Sequence, residues 1–423
     1  MSIKKNYERL DRIVRRARRD SPFYRKHLPA VEITGPEDLR RLPFLEKEHV
    51  NRHSLPAGRE LFTGPLENCI VVASSGSTGS RKYMVLEREA WEKSMEVQEQ
   101  ALRYLGLGRG DTIAILSAAG PFDPTLSSLI ELTFRLGCVV LPVTGNAEID
   151  ELIDYLVSFR PNAVYIVPSF ALRIAARVCE RGLKIDLKKF FYVGEHLGRE
   201  ASERLKEVFG FEELWAVGYS SADTGLIGFQ DRNSPGTVYH VAEELNLVEI
   251  LDPQNGRPCA CGETGEIVVS NCHRNLFPLI RFRTGDLGYW IDPEENAPSL
   301  GRRLALLGRG DDEIMIRAMS VPTTTFVEPV RNTPIFSGVM QIVIGLEEGL
   351  TVIDVRAECN DPAAAGPDAH AARAAILAAN PPLRHEIEDE GVVLLRVTPV
   401  ESGSLPTTVS GKVRLVQDRR IES

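Results

Sequence analysis

The sequence predicts an α/β fold in which a large N-terminal domain is followed by a β-rich subdomain and a small α+β C-terminal domain. Between about Glu67 and Phe229, short apolar runs alternate with segments of helical periodicity, which is typical of mainly parallel sheets covered by helices. After Thr237, strand-like pieces are separated by Gly and Pro turns. A hairpin pattern, an alanine-rich helix and a strand follow in the last quarter of the chain. The predicted domains are 1–308, with the β-rich subdomain at about 237–308, and 309–423.

The predicted elements follow from apolar patterning. Buried strands are expected at NCIVVASS, DTIAILSA, CVVLPV, AVYIVPS and FFYVGE. Helices are expected at EREAWEKSMEVQEQALRYLG and NAEIDELIDYLVSF. The C-terminal domain is predicted to form a hairpin at MQIVIGLEEGLTVIDVRAEC, a helix at AHAARAAILAAN and a strand at GVVLLRVTPV. The basic, amphipathic N-terminus favours a helix packed on the domain over a helix on a membrane surface.

Composition excludes several classes of function. The net charge of −9 gives no indication of nucleic-acid binding. No apolar stretch is long enough to span a bilayer, and the N-terminus lacks the apolar core of a signal peptide. Seven cysteines in 423 residues do not suggest a disulfide framework. We therefore expect a cytoplasmic protein without a nucleic-acid or membrane partner.

A loop rich in glycine and hydroxyl groups extends from Ser74 to Lys82, directly after a predicted strand. Its glycines let backbone N–H groups approach an anion, its hydroxyls can donate hydrogen bonds, and Lys82 adds a positive charge. The spacing is not that of a Walker loop. Taken alone, the loop is as consistent with an ordinary turn as with a phosphate site.

Further motifs follow in a fixed order, at Val193–Glu195, Gly218–Gly225, Phe282–Asp286, Gly308–Asp312 and Ser410–Lys412. Together with the Ser74–Lys82 loop they resemble the motifs of the adenylate-forming superfamily. The short chain and the opening DSPFYRKHL resemble its phenylacetate-CoA ligase-like branch. This resemblance implies activation of a carboxylic acid by ATP as an acyl-adenylate, followed by thioester formation with CoA. It also implies a mobile C-terminal domain that rotates about a hinge at Asp311.

The resemblance assigns roles to individual residues. Lys412 and Lys82 are expected to stabilise charge that develops on the reacting groups. Asp223 stands where the family usually has glutamate and is the expected Mg²⁺ ligand. Tyr219 is expected to stack on adenine, and Asp286 to accept hydrogen bonds from ribose hydroxyls. The full nucleotide-binding set is predicted to be Ser74, Ser75, Gly76, Ser77, Thr78, Gly79, Gly194, Glu195, Tyr219, Ser220, Asp286 and Arg309.

The acid is expected to bind between the sheet and the residues that precede the phosphate site. Two phenylalanines there favour a flat, aromatic acid, whereas an aspartate or the serines could recognise an amino or hydroxyl group. Both phenylalanines could equally be core residues. The predicted pocket residues are Phe122, Asp123, Ser169, Phe170 and Ser220.

A structural zinc site is a further candidate. Cys259 and Cys261 lie in a turn between two predicted strands, and His240 begins the strand before them. Asp231 would complete four ligands, with Cys272 as the alternative. Free thiols and a core histidine explain the same residues equally well.

Two other functions remain open at this point. The adenylate could be transferred to a carrier-protein thiol or an amine instead of CoA, since no motif fixes the acceptor. The chain could also be a non-catalytic nucleotide-binding relative, which Asp223 and Ala222 favour and the retained lysines oppose. A homodimer or a carrier protein is the expected macromolecular partner in these alternatives.

Overall fold

A computed structural model describes most of the chain. The described residues are 3–73, 83–117, 122–144, 147–193, 197, 199–234, 236–309, 313–316, 319–347, 350–391, 393–407 and 413–419. The chain divides into two compact units. The first unit comprises Met1–Arg109, Gly120–Gly137 and Ala216–Arg309, and the second comprises Gly110–Ala119, Cys138–Trp215 and Gly310–Ser423. The boundary between residues 308 and 309 stays a prediction.

Helices and strands alternate mainly between residues 83 and 216, whereas helices open the chain and strands predominate from 213 to 322. The helices are α1 Ile3–Asp20, α2 Pro22–His27, α3 Pro36–Arg40, α4 Lys47–His53, α5 Arg88–Tyr104, α6 Thr125–Leu136, α7 Ile149–Phe159, α8 Pro168–Glu180, α9 Arg199–Phe209, α10 Thr324–Arg331, α11 Gly366–Ala379 and α12 Pro381–Glu388. The strands are β1 Cys69–Ala73, β2 Tyr83–Glu87, β3 Thr112–Ser117, β4 Val139–Thr144, β5 Ala163–Ile166, β6 Lys189–Tyr192, β7 Glu213–Ala216, β8 Tyr219–Ser221, β9 Gly225–Phe229, β10 Val238–Val241, β11 Asn246–Leu251, β12 Gly265–Asn271, β13 Phe282–Trp290, β14 Arg303–Arg309, β15 Glu313–Ile316, β16 Met319–Pro322, β17 Phe336–Glu347, β18 Leu350–Cys359, β19 Val393–Glu401 and β20 Val416–Asp418.

The first unit is built on a seven-stranded antiparallel sheet with the order β11-β12-β13-β14-β10-β9-β8. Helix α1 packs in the same unit, because Leu10, Ile13 and Val14 share one helix face and are fully buried in its core. This confirms the packed N-terminal helix. None of the helices within the described residues combines the length and apolar character that a membrane span needs.

The second unit contains a five-stranded sheet with the order β4-β3-β5-β6-β7, in which β3 pairs in parallel with β4 and β5, and β5 with β6. Helices α7, α8 and α9 contribute apolar side chains to its core. All four residues of β5 are buried, as expected for a central strand covered on both faces. The predicted α/β architecture is confirmed.

The last hundred residues of the second unit form an α+β layer. Strands β17 and β18 make the predicted antiparallel hairpin, and β19 and β20 add to it in parallel. Helices α10, α11 and α12 pack on this sheet around Phe326, Ile353 and Leu383, all fully buried. The predicted alanine-rich helix is α11.

Two predicted assignments differ from the structure. NCIVVASS was expected in the parallel sheet, but β1 pairs antiparallel with β2 in a separate two-stranded sheet. A short apolar run indicates burial but not the direction of its partner. The antiparallel sheet also begins at Tyr219, earlier than residue 237, because β8 and β9 belong to it.

Candidate active site

Tyr219 and Asp286, both predicted to bind nucleotide, are brought together in the seven-stranded sheet. The Tyr219 hydroxyl donates a hydrogen bond to Oδ2 of Asp286 at 2.6 Å. Both side chains are buried, with 5% and 8% exposure. The Tyr219 ring lies 6.0 Å from the ring of Tyr239. Tyr219 therefore orients the Asp286 carboxylate, a role that the sequence did not predict.

Asp286 is the last residue of a bulge in β13. The side-chain hydroxyl of Thr284 accepts the Asp286 backbone N–H at 3.0 Å and donates to the carbonyl of Ile267 at 2.7 Å. In the pairing of β13 with β14, Asp286 stands opposite Arg309. The side chain of Arg309 lies outside what the structure describes, so its predicted ribose or phosphate contact stays a prediction.

Arg283 belongs to an ion-pair network within the sheet. Its Nε lies 2.7 Å from Oε2 of Glu266, and its Nη1 lies 3.6 Å from Glu46. Hydrogen bonding to Glu266 raises the pKa of Arg283 above its usual value. The guanidinium also lies over the ring of Phe44, at 5.5 Å. Arg283 is thus a structural ion-pair partner.

Asp223 lies in the tight turn between β8 and β9, with 3% exposure. Its backbone carbonyl accepts a hydrogen bond from Nη1 of Arg274 at 2.6 Å. Arg274 is itself buried, and this burial lowers its pKa to about 10, against the opposing effect of the Asp223 and Glu87 charges. The turn is closed by the Thr224 backbone N–H, which donates to the Ser221 hydroxyl at 3.1 Å. A buried cation therefore lies beside the turn that presents the expected metal ligand.

Several predicted residues lie outside the described residues. These are Ser74, Ser75, Gly76, Ser77, Thr78, Gly79, Lys82, Gly194, Glu195, Asp311 and Lys412. Their roles in phosphate binding, adenine binding, hinge motion and catalysis stay predictions. The described chain resumes at β2, which pairs with β1 in register from Ala73 opposite Tyr83.

Phe122 and Asp123, the first two residues of the predicted acid pocket, differ in the contacts that they make. Phe122 is 52% exposed and adopts a positive φ of 63°, a conformation that bulky residues rarely adopt. Its carbonyl accepts the Ala73 N–H at 3.0 Å, and its ring meets Tyr83 edge-on at 5.3 Å. Asp123 instead accepts the Thr125 N–H at 2.8 Å and so fixes the start of α6.

The remaining pocket residues are divided between the two units. Phe170 lies on α8 of the second unit, is 7% exposed and belongs to the apolar core, so the structure favours the core assignment for this ring. Arg173 lies over it at 5.9 Å. Ser220 is exposed on β8 of the first unit. The side chain of Ser169 lies outside what the structure describes.

The predicted zinc ligands do not converge. His240 is buried, with Nδ1 3.0 Å from the Gly301 carbonyl and Nε2 3.6 Å from Asp231. Asp231 in turn accepts the Ser234 hydroxyl at 2.8 Å. Among the described residues, this histidine and its carboxylate partner have no third side chain arranged with them to hold a metal.

The cysteines face other groups. The thiol of Cys259 points to the Thr264 carbonyl at 3.6 Å, and that of Cys261 to the Trp290 carbonyl at 3.1 Å. Cys272 is buried and faces the Asn6 carbonyl at 3.8 Å. Among the residues that the structure describes, no three His, Cys, Asp or Glu side chains are arranged to hold a metal ion. The predicted zinc set does not fit its metal, because each thiol is directed at a backbone carbonyl.

Sequence reasoning missed Glu266, Arg274 and the role of Thr284. Glu266 and Arg274 are buried charges, and charged residues are almost never buried without a partner. Arg274 stands before the mainly apolar run LFPLI, which could have indicated its burial. Glu266 gave no such signal, since its partners lie on another strand.

Known proteins resemble this chain over its whole length. The family described as AMP-binding enzyme matches residues 25–277, which is more than half of the 423 residues. A phenylacetate-coenzyme A ligase of Thermus thermophilus is 27% identical and covers 98% of this chain and 95% of its own. The corresponding ligase of Aromatoleum evansii is 26% identical, with 98% and 93% covered.

Solved structures share the fold. A 2-hydroxyisobutyryl-CoA ligase in the postadenylation state, with its acyl-adenylate bound, superimposes with a TM-score of 0.75 at 22% identity and covers 99% of this chain and 90% of its own. The order of motifs, the buried Tyr219–Asp286 pair and these matches agree. The chain belongs to the AMP-binding enzyme family, in the phenylacetate-CoA ligase-like branch of the adenylate-forming superfamily.

Proposed function

We propose that this protein is an ATP-dependent, AMP-forming acid–CoA ligase. A carboxylate oxygen of the acid attacks the α-phosphorus of ATP, and the bond from that phosphorus to pyrophosphate breaks. The sulfur of CoA then attacks the acyl carbon, the thiol loses its proton, and the bond to AMP breaks. The observation that supports this proposal most strongly is the match to phenylacetate-coenzyme A ligases over 98% of the chain.

In the proposed reaction, Asp286 accepts hydrogen bonds from the ribose hydroxyls of the nucleotide. Its carboxylate is suited to this because it is ordered before binding, by the 2.6 Å bond from Tyr219 and by its place in the bulge. Lys82 and Lys412 stabilise the negative charge that develops on the phosphates during displacement.

Asp223 is the proposed Mg²⁺ ligand. Mg²⁺ is usually held by one or two carboxylates together with phosphate oxygens, so a single aspartate is a sufficient contribution from this chain. When bound, the ion would neutralise phosphate charge. Arg274, which holds the backbone of the Asp223 turn, fixes where that carboxylate is presented.

An aromatic acid is the proposed substrate. Support comes from Phe122, which is about half exposed and whose ring contacts Tyr83. Its backbone adopts an unfavourable positive φ. Strained residues of this kind occur preferentially at functional sites. Asp123 stays a proposed pocket residue, and one of its carboxylate oxygens also fixes the start of α6.

CoA is the proposed acceptor, and a carrier-protein thiol or an amine is the alternative. A homodimer is a further expectation for this enzyme. A cytoplasmic location suits the proposal, because all seven cysteines are free thiols, as in a reducing compartment.

Two linked measurements test the proposal. Acid-dependent exchange of labelled pyrophosphate into ATP should be measured over aromatic, aminoaromatic, hydroxyaromatic and aliphatic acids, and we expect the aromatic acids to give the highest kcat/KM. Chromatography with the best acid should then detect the CoA thioester. If no CoA thioester forms while an amide or an acylated carrier protein accumulates, the acceptor would be reassigned. Highest kcat/KM with aliphatic acids would contradict the aromatic substrate.

A further inference from the structure

Strand β13 departs from regular pairing at the point where it presents Asp286. Glu266 of β12 pairs with Leu287, and Val268 pairs with Arg283. Ile267 alone therefore stands opposite the three residues 284–286. Gly285 in the middle has a φ of 76°, in the left-handed region that favours glycine. Bulges of this kind redirect a side chain, and here the redirected side chain is that of Asp286.

Two buried side chains hold the bulge. Thr284, with 2% exposure, bridges from the Ile267 carbonyl to the Asp286 N–H with its single hydroxyl. Glu266, with 7% exposure, accepts the Gly285 N–H at 3.3 Å with one oxygen and Arg283 with the other. Each of the three bulge residues therefore bonds to β12 or its side chains directly or through Thr284.

We propose that Thr284 and Glu266 are positioning residues for the ribose site: by fixing the bulge, they set where the Asp286 carboxylate meets the nucleotide. This inference rests on the proposed function, in which Asp286 binds the ribose. Both side chains are buried within the sheet, so they act on the nucleotide through Asp286 and not by direct contact. A carboxylate that accepts two hydroxyl groups at once tolerates little displacement, so loosening the bulge weakens nucleotide binding without altering the acid site.

The test measures the Kd for AMP by calorimetry, together with the KM for ATP and for the acid in pyrophosphate exchange. Thr284→Val keeps the shape of the side chain and removes both hydrogen bonds of the hydroxyl, whereas Thr284→Ser retains the hydroxyl. We expect Thr284→Val to raise the Kd for AMP and the KM for ATP about ten-fold or more, with the KM for the acid unchanged. Thr284→Ser should stay close to wild type. Glu266→Ala should resemble Thr284→Val.

A matched control separates positioning from general loss of stability. Asp292 is also a buried carboxylate paired with an arginine, at 2.7 Å from Arg303, and lies past the end of β13 that is remote from the bulge. Asp292→Asn should lower the melting temperature at least as much as Thr284→Val while leaving the Kd for AMP unchanged.

The outcomes distinguish this inference from the proposed function. Wild-type protein that binds no AMP would overturn the proposed function and the inference with it. If wild type binds AMP and both Thr284→Val and Glu266→Ala bind it equally well, the inference alone would be overturned. Equal weakening by Asp292→Asn would also overturn it, because the effect would then follow stability and not the bulge.

Discussion

Tyr219 and Asp286 are joined by a short hydrogen bond inside the seven-stranded sheet. The motif predicts that the Tyr219 ring stacks on adenine, which stays a prediction; the structure adds that the residue is buried and that its hydroxyl donates to the Asp286 carboxylate. A buried hydrogen bond to a charged acceptor is stronger than one between neutral groups. Tyr219 therefore contributes to the site through its oxygen.

Removing that oxygen tests this role. Tyr219→Phe keeps the ring and removes this donor from the Asp286 carboxylate, so we expect the KM for ATP to rise about ten-fold or more, as a charge-assisted bond contributes roughly 1.5–3 kcal/mol. Tyr24→Phe is the control, since Tyr24 also donates a buried bond, to the Pro278 carbonyl at 2.8 Å, away from the candidate site. An unchanged KM in Tyr219→Phe would contradict the role.

The predicted zinc site likewise depends on how individual cysteine side chains are oriented. The spacing of Cys259 and Cys261 suggested a metal pair, but the direction of a thiol is set by its turn, which spacing does not specify. Because these thiols face different carbonyls, we expect protein purified without chelator to contain far less than one zinc per chain by elemental analysis. One zinc per chain, lost in Cys261→Ser, would show that these ligands rearrange around the metal.

At the level of elements, polar side chains connect the beginnings of neighbouring strands in the parallel sheet of the second unit. Asp111, just before β3, accepts hydrogen bonds from Lys189 at 2.8 Å and from Asn162 at 2.8 Å. Asn162 also accepts the Thr112 N–H at 2.7 Å. These three side chains join the beginnings of β3, β5 and β6.

Breaking this connection should affect stability and leave catalysis intact. Asp111→Asn removes the buried charge that pairs with half-buried Lys189, so we expect the free energy of unfolding to fall by about 2 kcal/mol. Pyrophosphate exchange should be unchanged, because ligands of such sheets bind beyond the carboxyl ends of the strands. Asp150→Asn, which breaks an exposed pair with Arg177, should cost little by the same urea titration. Equal losses would contradict the assignment.

The sequence predicted elements better than their partners. Runs such as AVYIVPS and the hairpin of β17 and β18 were recognised because apolar patterning reports burial and period. The pairing of β1 with β2 was not, since partner direction depends on residues far along the chain. The same difference applies to the candidate site. Asp286 was found by its motif, whereas Glu266 and Arg274 act through contacts with residues distant in the chain, which no local pattern indicates.

At the scale of the whole molecule, two histidines couple stability to pH. Burial lowers the pKa of His273, and nearby Arg9 lowers it further; burial also lowers the pKa of His49. The folded protein therefore binds fewer protons than the unfolded chain just below the ordinary histidine pKa of about 6.5. Their contribution is complete above that pH and is lost as pH falls through the folded pKa.

We accordingly expect the urea midpoint to fall between pH 7.5 and pH 5.5, and His273→Gln to reduce that fall. His385 provides the control: it is exposed, and Asp389 raises its pKa, so His385→Gln should not reduce the fall. A midpoint that is independent of pH, or a fall that His273→Gln leaves unaltered, would contradict this account.

The central claim is that this protein activates a carboxylic acid with ATP, and acid-dependent pyrophosphate exchange measures that step alone. We expect exchange in wild-type protein only when an acid is present, and its loss in Lys412→Ala, which should still transfer the acyl group from preformed adenylate to CoA. Exchange absent with every acid of the panel, in protein that binds ATP, would contradict the claim.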